Sequence, residues 1–138
     1  MSPPRDADLP SIVLAGSAWF WGARLAAGAL LALGGGPVVA HVLAWLGVAG
    51  AGWALAPSVG RWVRLAGAAL LIALPEAMVE VSGRLTSAGV LGLRVPLPSL
   101  VPEGVGRVLL AAVPLSVAAV VVHAVARALT SARRRFPT

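Results

Sequence analysis

Five ionisable side chains interrupt runs that are otherwise apolar: Arg24, His41, Glu76, Glu80 and His123. A charged group in hydrocarbon costs about 2.5 to 3.5 kcal/mol on insertion scales, so each of these residues needs a partner or a task. Arg24 and Glu76 are read first as an intramembrane ion pair, because pairing is how charges are accommodated away from water. The alternative chemistry for Glu76 is a proton or cation site. Pro75, immediately before it, breaks the helical hydrogen-bond ladder and frees a carbonyl, as broken helices at ion sites do. Glu76, Glu80 and Arg84 recur at steps of four and share a helix face, and Glu103 and Arg107 repeat that spacing. Such pairs at the ends of apolar helices read as interfacial salt bridges, each worth about 0.3 to 0.5 kcal/mol.

His41 and His123 are the candidate cofactor ligands. Imidazole is the commonest axial ligand, and either residue alone would serve a haem iron or a chlorin magnesium. A shared bis-histidine site is excluded by depth. His41 lies about four residues from one end of its apolar run, and His123 about 18 residues from the same-side end of its own. That separates them by about 20 Å along a membrane normal, whereas two axial ligands of one iron must meet. The cluster Trp19, Phe20 and Trp21, one turn before Arg24, offers large rings to a lipid, a partner or a flat pigment. Arg133, Arg134 and Arg135 are read as a docking element for anionic headgroups or partner subunits.

Several chemistries are missing. With no cysteine the chain has neither disulfides nor thiolate metal ligands, and it also lacks tyrosine and lysine. It carries no phosphate-binding glycine loop, HExxH or GxSxG motif, and its serines have no general base nearby in sequence. Five acids and two histidines leave little for acid-base or nucleophilic work, so the chain is not expected to be an enzyme.

The elements that must position these residues are set by composition. Of 138 residues, 59% are apolar and 12% charged, against roughly half and a quarter in an ordinary soluble domain. A mean hydropathy of +0.91 places the chain in the membrane class. The net charge of +6 would suggest nucleic acid in a soluble protein. Here all eleven basic residues are arginine and most flank apolar runs, so the expected partners are anionic lipids and other membrane subunits, with no nucleic acid. The Ala, Gly, Val, Leu, Arg and Pro bias points to a GC-rich bacterial source.

A helix needs about 20 residues to cross the hydrocarbon, and four runs are long enough: about 11–33, 37–56, 62–82 and 105–129. The expected fold is therefore all-α, an integral membrane bundle of four transmembrane helices. Glycines and Pro37 separate the first two runs, Pro57 and Ser58 the next, and Gly83 caps the third. Residues 83–104, with Pro96, Pro98 and Pro102 among leucines and valines, form a linker expected to lie along the outer interface or against a partner. Residues 1–10 and 130–138 are tails, the second basic. A secretory leader built on Leu25 to Leu33 is disfavoured by Asp6, Asp8 and three preceding prolines.

Four spans put both termini on one side. That side holds Arg5, Arg61, Arg64, Arg127, Arg133, Arg134 and Arg135, and the other holds Arg84, Arg94 and Arg107. The arginine excess makes the termini cytoplasmic, and Trp53 and Trp62 then fall in the inner aromatic belt. Arg24 and Glu76 come about 13 and 14 residues into spans of the same direction, so both sit about 20 Å from the inner end. Small residues at four-residue steps (Ala18, Gly22 and Ala26; Gly28 and Ala32; Ala40 and Ala44) would let helices approach closely.

The function expected is a non-catalytic accessory subunit of a larger complex in the bacterial inner membrane, an energy-transducing one, respiratory or photosynthetic. The alternative is a small homo-oligomeric transporter or channel with Glu76 and Arg24 as its coupling site. No internal repeat of the kind found in transporters accompanies that alternative.

Overall fold

The computed structural model describes residues 9–78, 87–93 and 102–135, and every regular element among them is helical. Helix α1 runs Leu9–Ala32, α2 Pro37–Leu55, α3 Trp62–Ala73, α4 Pro75–Met78, α5 Ser87–Val90 and α6 Glu103–Arg135. Three stretches are long and apolar enough to cross a membrane: α1, α2 with the 3-10 turn Ala56–Ser58 that follows it, and α6.

The turn between α1 and α2 is closed by backbone alone. Gly35 N–H donates to the Leu30 carbonyl at 2.8 Å and Gly34 N–H to that of Leu31 at 3.1 Å. Gly34 stands at φ +82°, the left-handed residue that this pair of bonds requires. Pro37 then opens α2 at a position where its missing N–H costs nothing.

The third run departs from the expected continuous span over 62–82. Helix α3 has twelve residues, breaks at Leu74 and resumes as the single turn α4. Proline supplies no N–H and crowds the preceding turn, so the ladder cannot pass through Pro75. Glu80 and Arg84, with residues 79–86 generally, lie outside the described residues. The fourth run is longer than expected. Helix α6 covers 33 residues, about 50 Å, and continues as helix through Arg135 into the segment read as a basic tail. Three arginines in its last turn complement the negative end of the helix dipole.

Tight packing fixes the bundle. Helices α1 and α2 run antiparallel, with Gly47 against Ala23 and Gly50 under the Trp19 ring. Helices α2 and α6 run side by side in the same direction, and Gly52 touches Ala118 so closely that a Cβ there would lie 2.8 Å from its carbonyl carbon. The core is Phe20, Leu55, Ile72, Leu115 and Val48, filled in by alanines from all the long helices. Among the small-residue stripes, Ala40 and Ala44 are buried, as is Gly28, while Ala32 is exposed. Ala18, Gly22 and Ala26 also face outward, uncovered by this chain.

The described part of the linker, residues 87–93, packs in part against the chain's own helices. Val90 and Leu91 are buried at 0% and 4% exposure. The reason is on α2, where two ring N–H groups point at this segment and hold it.

Candidate functional site

Three elements bring Arg24 and Glu76 together. Arg24 sits past the middle of α1, Glu76 in the turn that opens α4, and α3 with its break sets the height of that turn. The Arg24 Nη2 atom is 3.5 Å from Glu76 Oε2. Arg24 is 7% exposed and Glu76 1%, so the pair is closed off from its surroundings. The guanidinium also stands over the Trp21 ring, 5.3 Å from its centroid. A cation over an indole face is attracted by the ring quadrupole, more strongly when water is excluded.

Trp21 has a second role at the other edge of its ring. Its Nε1–H donates to the Ile72 carbonyl at 2.8 Å, in the helical turn that Pro75 interrupts. The N–H that Pro75 lacks would have met the Leu71 carbonyl, four residues back, so the indole of α1 bonds the carbonyl next to the one the proline leaves. Phe20 meets Trp21 edge-on, with ring centroids 5.2 Å apart at 84°, and is itself buried in the core. Of the aromatic cluster only Trp19 is exposed, and its ring also packs on Gly50.

His41 and Trp45 are four residues apart on one face of α2. His41 Nδ1 lies 2.6 Å from the Val90 carbonyl and Trp45 Nε1–H donates to that of Leu91 at 3.0 Å. The carbonyl can only accept, so Nδ1 carries a proton and Nε2 is the nitrogen left for any other partner. Nε2 lies against Gly92, where a Cβ would come within 3.3 Å of it. The nitrogen a metal would take therefore lies beside the backbone turn at Gly92, whose φ is +77°.

His123 is half-buried on α6 and is not brought near His41. With Gly52 against Ala118, the two histidines are offset by about sixteen residues of helix, about 24 Å. Among the described residues no three His, Asp or Glu side chains gather as a metal site. The grooves found there are lined almost wholly by apolar side chains and lie between α2 and α6, between α3 and α6, and beside Trp19. Glu103 and Arg107 pair at 2.6 Å at the start of α6. Arg133, Arg134 and Arg135 are exposed in its last turn.

For His41, a bond to a headgroup, water or a backbone carbonyl is the simpler sequence reading beside that of a cofactor ligand; sequence reasoning missed Trp45 and the segment that supplies both acceptors. The four-residue spacing of two ring donors on one helix face was the available signal, but their acceptors lie almost fifty residues away in sequence. It also missed Ser58, which is 1% exposed and whose hydroxyl has no hydrogen-bond partner. No protein-family model matches the chain, and neither a curated protein nor a solved structure does.

Proposed function

We propose that the chain is a non-catalytic accessory subunit of a larger complex in the bacterial inner membrane. In this reading it crosses the membrane four times, with α3 and the segment after it making the broken third pass and both termini in the cytoplasm. The observation that carries the proposal is the overhang of α6. Gly52 meets Ala118, so α2 ends near the level of Val121, yet α6 continues and residues 124–135 are exposed on every side. That stretch is amphipathic: Val125, Leu129 and Ala132 line one side, and His123, Arg127, Thr130 and Arg134 the other. A helix of about 18 Å with an apolar side that its own chain leaves bare is suited to docking on another subunit.

The closed state of the Arg24 and Glu76 pair supports the same reading, since a coupling residue must meet water at some point in a transport cycle. An energy-transducing complex, respiratory or photosynthetic, is the setting we favour for such a subunit. The test is extraction from the native membrane in mild detergent, followed by mass measurement of the intact particle and its visible spectrum. Other chains should accompany this one, and truncation after Val125 should release them while the remaining bundle stays folded. A particle made of this chain alone overturns the proposal. The absence of cysteine makes single-cysteine labelling from either side of the membrane a direct test of the four-pass topology.

A further inference from the structure

One seam of α6 runs through Ala111, Leu115 and Ala118 and on through Val122, Val125, Leu129 and Ala132, in alternating steps of three and four residues. That spacing keeps a single helix face turned toward a neighbouring helix. Within the bundle it has one. Ala111 and Leu115 are 0% exposed, and Ala118 lies against Gly52 of α2. Past the end of α2 the spacing continues unbroken, yet Val125 is 52% and Leu129 61% exposed. The chain thus carries the pattern of a helix contact over a stretch where no described helix makes one.

What borders the seam changes along the overhang. Beside Val125 the flanking residues are Ala126 and Ala128, small enough for the close approach already seen between Gly52 and Ala118. Beside Ala132 they are Arg133 and Arg135, both exposed, while Arg127 and Arg134 stand on the opposite side of the helix. A second copy laid along the same seam in the same direction would set like charges side by side, because residues 104–138 contain no acid. An anionic bilayer surface would meet Arg127 and Arg134 as readily as Arg133 and Arg135. Asp6 and Asp8, on the same side in the four-pass topology, lie outside the described residues; residues 1–8 hold two prolines and one long apolar side chain, Met1, and supply no seam of their own. An apolar seam with cations at its borders is complementary to a helix whose own seam is bordered by acids.

We propose that the overhang of α6 binds an amphipathic helix of a partner protein, one whose apolar heptad seam is flanked by aspartate or glutamate. Val122, Val125, Leu129 and Ala132 receive its apolar side chains, and its acids meet Arg133 and Arg135. Guanidinium suits such pairs because its fork of donors matches both oxygens of a carboxylate. The seam supplies the contact area, and the flanking charges select the partner and set its register. The inference rests on the subunit reading for the existence of a partner and adds what that partner's docking element is made of.

The test uses the full chain in detergent and two labelled synthetic peptides of about four heptads, with the same leucine seam and either glutamate or lysine at every flanking position. Binding is read by fluorescence anisotropy against detergent alone. The glutamate peptide is expected to bind about ten-fold more tightly, the effect of two charge pairs that attract in one case and repel in the other. Arg133→Gln with Arg135→Gln should erase that preference, and Arg127→Gln with Arg134→Gln should leave most of it. Leu129→Asn, in the seam, should abolish binding of the glutamate peptide, and Asp6→Asn with Asp8→Asn should change none of these results. Equal binding of the two peptides overturns the proposal. So does a preference lost equally with the outer pair, which means a general attraction of anions to this end, and so does binding that emerges only when Asp6 and Asp8 are replaced, which makes the chain's own N-terminal segment the occupant. A dimer in detergent that Leu129→Asn splits makes the occupant a second copy and overturns it too. Thermal unfolding identifies any variant that has lost its fold, and for Leu129 the milder Leu129→Ala then carries the same expectation. A chain that leaves its native membrane alone refutes the subunit reading whatever the peptides do, whereas a chain that leaves with partners but ignores the peptides refutes only the acid-flanked helix.

Discussion

The Trp21 indole of α1 donates to the Ile72 carbonyl of α3 at 2.8 Å, three residues before Pro75, and so ties α1 to the end of another helix. The same ring lies 5.3 Å beneath the Arg24 guanidinium. Trp21→Phe keeps the apolar bulk but removes the donor and weakens the cation contact. We expect a loss of about 1 to 3 kcal/mol, the cost of leaving a buried carbonyl unsatisfied, read from thermal unfolding in detergent. An unchanged unfolding temperature in Trp21→Phe would show that the bond to Ile72 carries no stability.

Arg24 and Glu76 should behave as a unit. Removing one member takes away a contact of the other buried charge, so Glu76→Leu or Arg24→Leu is expected to destabilise, by up to about 3 to 5 kcal/mol. The double replacement should cost clearly less than the sum of the two, because their mutual contact is lost only once. On the proposed subunit reading, Glu76→Gln should leave co-purification with other chains unchanged. Additive single and double costs would mean that the 3.5 Å approach carries no coupling.

The clamp on residues 90–93 predicts a local effect. His41→Phe and Trp45→Phe each remove one donor to that turn, at about 1 kcal/mol apiece. Hydrogen exchange of the backbone amides at 90–93 should speed up in both variants, while that of α1 stays as it was. Unchanged exchange would mean that burial of Val90 and Leu91 alone holds the turn.

Two glycine substitutions should separate close packing from helix propensity. Gly52→Ala drives a methyl into the Ala118 backbone and is expected to cost about 1 to 3 kcal/mol. Gly22→Ala meets nothing within 4 Å and should stabilise by up to about 1 kcal/mol through helix propensity. Ser58→Ala, which deletes an unpaired buried hydroxyl, should likewise not lower the unfolding temperature. Unfolding scans of the three variants check their order.

The elements with long uninterrupted apolar runs were legible in the sequence. For α1, α2 and α6, length and hydropathy suffice, and Gly34 with Pro37 marks the first turn. Counting residues from the span starts also places Arg24 and Glu76 at one depth, and their side chains do lie 3.5 Å apart. What stayed hidden depends on partners far along the chain. Pro75 shows where α3 must break, but nothing local says that Trp21 will bond the nearby Ile72 carbonyl. Nor does anything in residues 87–93 say that the carbonyls of Val90 and Leu91 will meet His41 and Trp45. The stripe at Ala18, Gly22 and Ala26 shows a further limit: spacing tells which residues share a face, not which face turns inward.

The His41 and Trp45 clamp has a mechanical side. Its donors are one turn apart on α2 and its acceptors are the adjacent carbonyls of Val90 and Leu91, so any twist of α2 about its own axis strains both bonds together. Leu93, two residues further on, forms part of the wall of the groove between α2 and α6, and Trp45 forms another part. The clamp and the groove wall thus share Trp45, so displacing that ring to widen the groove would load its bond to Leu91.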